Sequence, residues 1–119
     1  MFCLTASAGW AQTTTITRTA LQKIEAPDPS HTVESYLVTI APHAVVPRHT
    51  HPGVEIGYLV SGGGTMSVAG EPERTIKTGD SWAIPAGKPH TFQNTGNQPE
   101  TLVVTYVLEK GQPLSTPAP

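Results

Sequence analysis

Glycine and proline residues divide this sequence into short segments, and that division constrains the fold more than any other feature. The chain has 11 glycines and 12 prolines among its 119 residues. Between them lie short runs rich in β-branched and aromatic residues, clearest at 36–40, 55–60, 65–68, 74–77, 81–84, 90–94 and 101–108. No segment has the apolar spacing and end signals of an amphipathic helix. Turn signals about every eight to twelve residues between such runs predict an all-β sandwich or barrel.

Length and charge narrow the class of protein further. A chain of 119 residues is long enough for one domain with its own core, but not for two. Only 13% of the residues are charged, the net charge is −2, and the seven lysines and arginines are scattered. A nucleic-acid interface needs a basic patch, so we expect no nucleic-acid partner. No apolar stretch approaches the roughly 18 residues of a membrane span. We therefore predict one β domain over 13–109.

The two ends of the chain differ from this domain in composition. Cys3 is the single cysteine, which excludes an intramolecular disulfide and a zinc site made of several thiolates. Residues 1–12 end in small residues typical of a signal-peptidase site but lack a basic start and a long apolar region. We interpret them as the remnant of an export signal of a periplasmic or secreted protein. The alternative is a disordered tail on a cytoplasmic protein. The proline-rich segment 110–119 is predicted to be disordered.

A small group of polar residues suggests a metal site. In a strand, residues i and i+2 point to the same side, so His49 and His51 direct two imidazoles into one volume. Glu55 opens the next predicted strand, and His90 begins another after a proline–glycine turn. Three imidazoles and a carboxylate suit a divalent transition metal such as Fe, Mn, Ni, Co, Cu or Zn. Four protein ligands leave open positions for a substrate on an octahedral ion.

Two sequence motifs give these residues a family context. Segment 49–62 reads H-x-H-x3-E-x6-G, and segment 79–94 reads G-x5-P-x-G-x2-H-x3-N. Both resemble the two motifs of the cupin superfamily, here in the form of a small single-domain microbial cupin. The segment from His49 to Gly57 is also similar to germins, which are exported cupins. One position departs from the pattern, because the glycine that opens the first motif is replaced by His43. That position shapes a turn, so the departure does not affect the four candidate ligands.

The resemblance implies a fold, a cofactor and a range of activities. The implied fold is a jelly-roll β-barrel (a double-stranded β-helix), often a homodimer, with one metal ion held by His49, His51, Glu55 and His90. Cupins include dioxygenases, oxidases, isomerases, decarboxylases and non-catalytic binders, so the fold alone does not name the reaction. Our expectation is a mononuclear metal-dependent oxidoreductase, dioxygenase-like, acting on a small organic substrate. The alternatives are a non-catalytic exported metal- or ligand-binding cupin and a non-redox isomerase or lyase.

Other interpretations of individual residues remain open at this point. In one alternative the barrel has lost its metal, and the four candidate ligands have only a structural role. In another, Glu55 accepts a proton and does not bind the metal. His43 is expected to be a loop residue. The predicted substrate pocket is lined by Phe92, Leu59, Tyr36, Met66, Trp82 and Tyr106. No cation near the motifs is predicted to point inward, which favours a small apolar or phenolic ligand over one held by an arginine clamp.

Overall fold

The chain folds into strands joined by short turns. A computed structural model describes residues 15–119. The strands of that part of the chain are β1 (Ile16–Glu25), β2 (His31–Ile40), β3 (Val45–Thr50), β4 (Gly53–Ser61), β5 (Gly63–Val68), β6 (Arg74–Lys77), β7 (Ser81–Ile84), β8 (His90–Asn94), β9 (Glu100–Glu109) and β10 (Thr116–Pro117). Residues 15–119 form no helix, so none of them lies in a helix that could cross a membrane.

Two antiparallel sheets enclose the core. The first has the strand order β1-β2-β9-β4-β7, and the second has the order β10-β3-β8-β5-β6. Strands distant in sequence are neighbours in both sheets, as in a jelly roll. The all-β jelly-roll prediction is therefore confirmed. Side chains from the inner faces of both sheets form one buried cluster, in which Leu59, Ile76 and Tyr106 are almost inaccessible to solvent.

Alternation along β4 decides which side chains face the core. Glu55, Gly57 and Leu59 are buried, whereas Tyr58 is exposed, as the period of two along a strand predicts. The exposed side of β4 is apolar, with Val54, Ile56, Tyr58 and Val60 all exposed. An exposed apolar sheet face is typical of an interaction surface. The homodimer expected from the family resemblance stays a prediction.

Both ends of the described chain form edge strands of the two sheets. β1 and β2 form a long antiparallel pair, Ile16↔Ile40 to Glu25↔Thr32, interrupted by one bulge. The predicted disorder of 110–119 is not what the structure has: Thr116 and Pro117 pair with β3 as the edge strand β10. Leu114 packs against the core, and this burial of an apolar side chain holds the segment in place. The interpreted export-signal remnant, 1–12, lies outside the described residues.

Candidate metal centre

Three histidines meet at one end of the barrel. His49 lies on β3 opposite His90, the first residue of β8, and His51 follows directly after β3. A bulge between Val46 and His49 adds one residue to β3. The side chains of Val46 and His49 therefore both point into the barrel. One ring nitrogen from each of His49, His51 and His90 lies within 4.8 Å of the others. The fold thus brings together three of the four predicted ligands as a compact triad.

The orientation of each imidazole is fixed from behind by a backbone carbonyl. His49 Nδ1 lies 2.6 Å from the Pro47 oxygen, His51 Nδ1 lies 2.7 Å from the Leu114 oxygen, and His90 Nδ1 lies 2.9 Å from the Lys88 oxygen. A carbonyl oxygen only accepts hydrogen bonds, so each Nδ1 must be the donor. In a neutral imidazole the proton is then on Nδ1, and Nε2 has a free lone pair. Carbonyl contacts of this kind are what orients histidines that bind metals.

The free nitrogens of the triad face one another rather than a hydrogen-bond donor. His49 Nε2 lies 3.1 Å from His51 Nε2. His90 Nε2 is buried and has no hydrogen-bond partner within residues 15–119. A buried acceptor without a partner costs about 1–3 kcal/mol, and lone pairs that face each other repel. A cation placed among the three nitrogens would remove both costs. The donor set therefore fits a divalent transition metal, for which imidazole is a preferred ligand.

Glu55 lies beside the triad and is oriented by a tryptophan. Its Oε1 lies 3.3 Å from His51 Nε2 and 3.8 Å from His90 Nε2. Its Oε2 accepts a 2.8 Å hydrogen bond from Trp82 Nε1. The indole ring reaches this oxygen by passing over Gly57, where a Cβ atom would lie 2.1 Å from the ring. Gly57 therefore permits the contact that leaves a single carboxylate oxygen facing the histidines.

Burial and neighbouring charge shift the pKa values of the site in opposite directions. Burial lowers the pKa of His49 to about 4, which keeps this imidazole neutral at physiological pH. Burial also disfavours the charged form of Glu55, but the neighbouring imidazoles of His51 and His90 and the hydrogen bond from Trp82 outweigh that cost and lower the pKa of Glu55. Burial similarly opposes protonation of His90, yet the Glu55 carboxylate raises its pKa. The site thus holds a carboxylate and attracts positive charge.

A small cavity lies against this group of residues. Its volume is about 40 Å³, enough for only a few water-sized groups. Four residues predicted to line a substrate pocket do line it: Phe92, Met66, Trp82 and Tyr106. Two do not. Leu59 is completely buried in the core, and Tyr36 lies behind Tyr106 with its hydroxyl donating to Glu34.

Sequence reasoning missed a cation at the cavity. Arg18 on β1 lines it, and its Nη1 donates a 3.1 Å hydrogen bond to the hydroxyl of Tyr106. The expectation concerned only the cations near the motifs and did not consider β1, which continues the first sheet alongside β2. No pattern within its own segment marks Arg18 as a cavity residue, because its position follows from its pairing in register with buried Val38 on β2.

His43 lies outside the site, as predicted for a loop residue. It is exposed, and its Nε2 lies 2.9 Å from the Asn97 side-chain oxygen. Its φ angle is +61°, the left-handed conformation that glycine adopts most easily. The residue that replaces the motif glycine thus keeps the turn that the glycine would make.

A jelly-roll barrel with a histidine triad at one end is an arrangement found in cupins, and sequence comparison agrees with this class. The sequence profile described as "Cupin domain" matches residues 36–106. The chain therefore belongs to the cupin family. It is also 32% identical over 72 residues to Germin-like protein 1 of Brassica napus. That match covers 56% of this chain and 35% of the relative, so the chain spans about a third of the germin-like protein's length.

Solved structures share the fold. The DMSP lyase DddQ from Ruegeria pomeroyi superposes with a TM-score of 0.71 at 23% identity, covering 87% of this chain and 51% of the lyase. A recombinant oxalate oxidase in complex with glycolate superposes with a TM-score of 0.69 at 23% identity, covering 87% of this chain and 55% of the oxidase. At these identities the likeness concerns the fold alone. The two proteins carry out different reactions on it.

Proposed function

We propose that the protein is a mononuclear metal-dependent enzyme that acts on a small organic substrate. His49, His51 and His90 hold one divalent transition metal, and Glu55 supplies a fourth ligand through Oε1. The observation that carries this proposal is the direction of the three Nε2 lone pairs. Each lone pair is directed inward because Nδ1 of the same ring donates a hydrogen bond to a backbone carbonyl. His90 Nε2 has no hydrogen-bond partner within the described part of the chain.

The lowered pKa of Glu55 favours the ligand role over that of a proton acceptor. A carboxylate whose pKa is depressed is a weak base. Trp82 occupies its second oxygen, so only Oε1 is available to a metal or a proton. A bound metal would supply Lewis-acid chemistry and, with iron, manganese or copper, redox chemistry. The side chains around it, among them Phe92, Met66 and Val104, exclude bulk water from the reacting groups.

The reaction we favour is an oxidoreduction of the dioxygenase type. Support comes from the nitrogen-rich donor set and from the apolar cavity, whose volume of about 40 Å³ admits only a small reacting group. A carboxylate that acts as a ligand leaves no free strong base beside the substrate, which disfavours reactions that begin by proton abstraction.

A second candidate is a non-redox lyase or isomerase, and one contact favours it. The Tyr106 hydroxyl lies at the cavity and accepts a hydrogen bond from Arg18. Burial raises the pKa of Tyr106, and the charge of Glu55 raises it further, so the phenol keeps its proton. A phenol that keeps its proton can hold a substrate oxygen by donating a hydrogen bond, and it gives the proton up only to a strongly basic leaving group.

Turnover by untagged protein separates these candidates. The metal content is first measured, and oxygen uptake is then recorded over a panel of small phenols and hydroxy acids. Oxygen uptake in the wild type and its loss in His90→Ala supports the oxidoreductase. Turnover without oxygen consumption that is lost in Tyr106→Phe supports the lyase or isomerase instead. Bound metal with no turnover on any substrate contradicts both and leaves a metal-binding protein.

A further inference from the structure

We infer that the groove beside the metal site is a carboxylate-binding subsite formed by Arg18 and Arg48. The inference rests on the proposed function, because it assigns a substrate class to the same site. Arg18 belongs to β1 and Arg48 to β3, so the two guanidinium groups come from strands of different sheets. Both line a groove of about 250 Å³ at the surface.

The groove is continuous with the metal cavity. Arg18, Val46 and His49 line both of them, so a ligand in the groove lies against the triad. The other groove walls are Ile16, Pro47, Ser115 and Pro117. The C-terminal segment that was expected to be disordered therefore forms one wall of this subsite.

Electrostatics favours an anion in the groove. No aspartate or glutamate lines it, and neither arginine forms a salt bridge with any carboxylate in residues 15–119. Nε of Arg48 is buried and has no hydrogen-bond partner in that part of the chain. Of the Arg18 donors, Nη1 is used on Tyr106. An arginine stays charged in a protein, so the groove walls carry two cations and no carboxylate, and the nearest acidic group of the site, Glu55, lies in the adjoining cavity.

The shape of the groove favours a carboxylate over a phosphate. A guanidinium pairs with a planar carboxylate through two parallel hydrogen bonds. Phosphate sites commonly add a glycine-rich loop or a helix N-terminus, and neither is present in the groove walls. The cavity next to the triad holds only a few atoms, so the rest of a ligand must extend into the groove. A short organic acid with one end at the metal and a carboxylate at the arginines fits both spaces.

The test is ligand binding by full-length, metal-loaded protein. Malonate is the probe, malonamide is its neutral analogue, and inorganic phosphate is the competing anion, all followed by titration calorimetry. We expect malonate to bind at least tenfold more tightly than malonamide or phosphate. Arg18→Gln and Arg48→Gln should each weaken malonate binding about tenfold and leave the metal content unchanged. Arg18→Lys, which keeps the charge without the planar fork, should recover part of the loss.

Arg74→Gln is the matched control. Arg74 lines neither the cavity nor the groove, and its Nη2 donates to the Ser81 carbonyl instead. This variant should bind malonate as the wild type does. Wild-type affinity in the Arg18→Gln, Arg48→Gln double variant would overturn the inference, and so would phosphate that binds as tightly as malonate. If the purified protein binds no metal, the proposed function is overturned instead. The effect of the arginine variants on malonate binding by the metal-free protein then tests the carboxylate subsite separately.

Discussion

The two ends of the barrel bury polar groups in opposite ways. Strand β8 runs from one to the other, with His90 at its start and Asn94 at its finish, about 13 Å apart at 3.3 Å per residue. Asn94 is completely buried, and its Nδ2 lies within 3.2 Å of the carbonyl oxygens of Ile40, Ala41 and Gln98. Its Oδ1 accepts from the Gly96 amide at 2.9 Å. His90 Nε2, at the other end, has no hydrogen-bond partner among the described residues.

This difference separates a structural role from a functional one. The Asn94 amide is fully satisfied by two turns of its own chain, so it needs nothing from outside and holds those turns together. The triad is satisfied only on its outer side, which leaves three lone pairs for a cation. Glu100, at the Asn94 end, is a third case. It is completely buried, and in the described part of the chain neither of its oxygens has a hydrogen-bond partner.

The largest expected effect on stability is at the Asn94 end of the barrel, where the Asn94 side chain is fully hydrogen-bonded. Asn94→Ala removes the partner of several buried carbonyls and should lower the free energy of unfolding by roughly 2–4 kcal/mol. The metal affinity of the folded protein should be unchanged. Urea unfolding of the metal-free protein and a separate metal titration measure the two quantities. Equal stability of the variant and the wild type would show that the Asn94 end is not the structural one.

Glu100 makes the stability of the same end of the barrel depend on pH. Burial raises the pKa of Glu100 to about 7, although the Gly63 amide nearby opposes this. The native state therefore holds the proton more tightly than the unfolded chain, in which the pKa is about 4.5. Stability should be greatest below pH 4.5, fall as the pH rises towards 7, and then level off. The loss amounts to about 3 kcal/mol, from the difference between pKa 4.5 and 7 at 1.36 kcal/mol per pKa unit.

Glu100→Gln should abolish that slope. Urea unfolding at pH 5 and pH 8 checks it, with Glu109→Gln as the control, because Glu109 is exposed at the other end of β9. A wild type that is more stable at pH 8 than at pH 5, with the same slope in Glu100→Gln, would contradict the assignment.

At the metal end, Trp82 should affect affinity more than stability. Trp82→Phe removes the donor to Glu55 Oε2, so the carboxylate is no longer held towards the triad. Loss of such an orienting contact typically lowers metal affinity about 10- to 100-fold. Competition with a chelator of known affinity measures the change. Ile76→Val, which loosens the core away from the triad, controls for general packing. The same loss of affinity in both variants would refute the orienting role.

The smallest expected effect concerns the C-terminal segment. Ending the chain after Gly111 removes the Leu114 carbonyl that fixes His51, and metal affinity should fall about tenfold. Ending it after Pro117 keeps Leu114 and β10 and serves as the control. Unchanged affinity in the shorter chain would mean that water replaces the carbonyl at no cost.

The sequence was sufficient to predict the central strands and the grouping of the three histidines. Period-two alternation correctly placed Glu55 inward and Tyr58 outward, and the two motifs brought His49, His51 and His90 together. Both signals are local, because they depend on spacing within one or two strands. A turn at His43 was also predicted, but its φ angle of +61° was not.

The remaining features depend on which strands become neighbours. Arg18 reaches the cavity because β1 pairs with β2, and Leu114 reaches His51 because β10 pairs with β3. Neither pairing leaves a pattern within its own segment. The proline-rich composition of 110–119 suggested disorder, although the segment also contains the apolar Leu114, which packs against the core. Leu59 was misplaced for a similar reason: parity predicts that it points inward, but not how far along the barrel the cavity extends.

Metal content tests the central claim most directly. Untagged wild-type protein and the His49→Ala, His51→Ala, His90→Ala triple variant are purified in parallel and analysed by mass spectrometry for Fe, Mn, Ni, Co, Cu and Zn. We expect about one equivalent of one of these metals in the wild type and none in the triple variant, with unchanged far-ultraviolet circular dichroism. Wild-type protein that binds no metal after incubation with each ion, or a triple variant that retains it, would contradict the account.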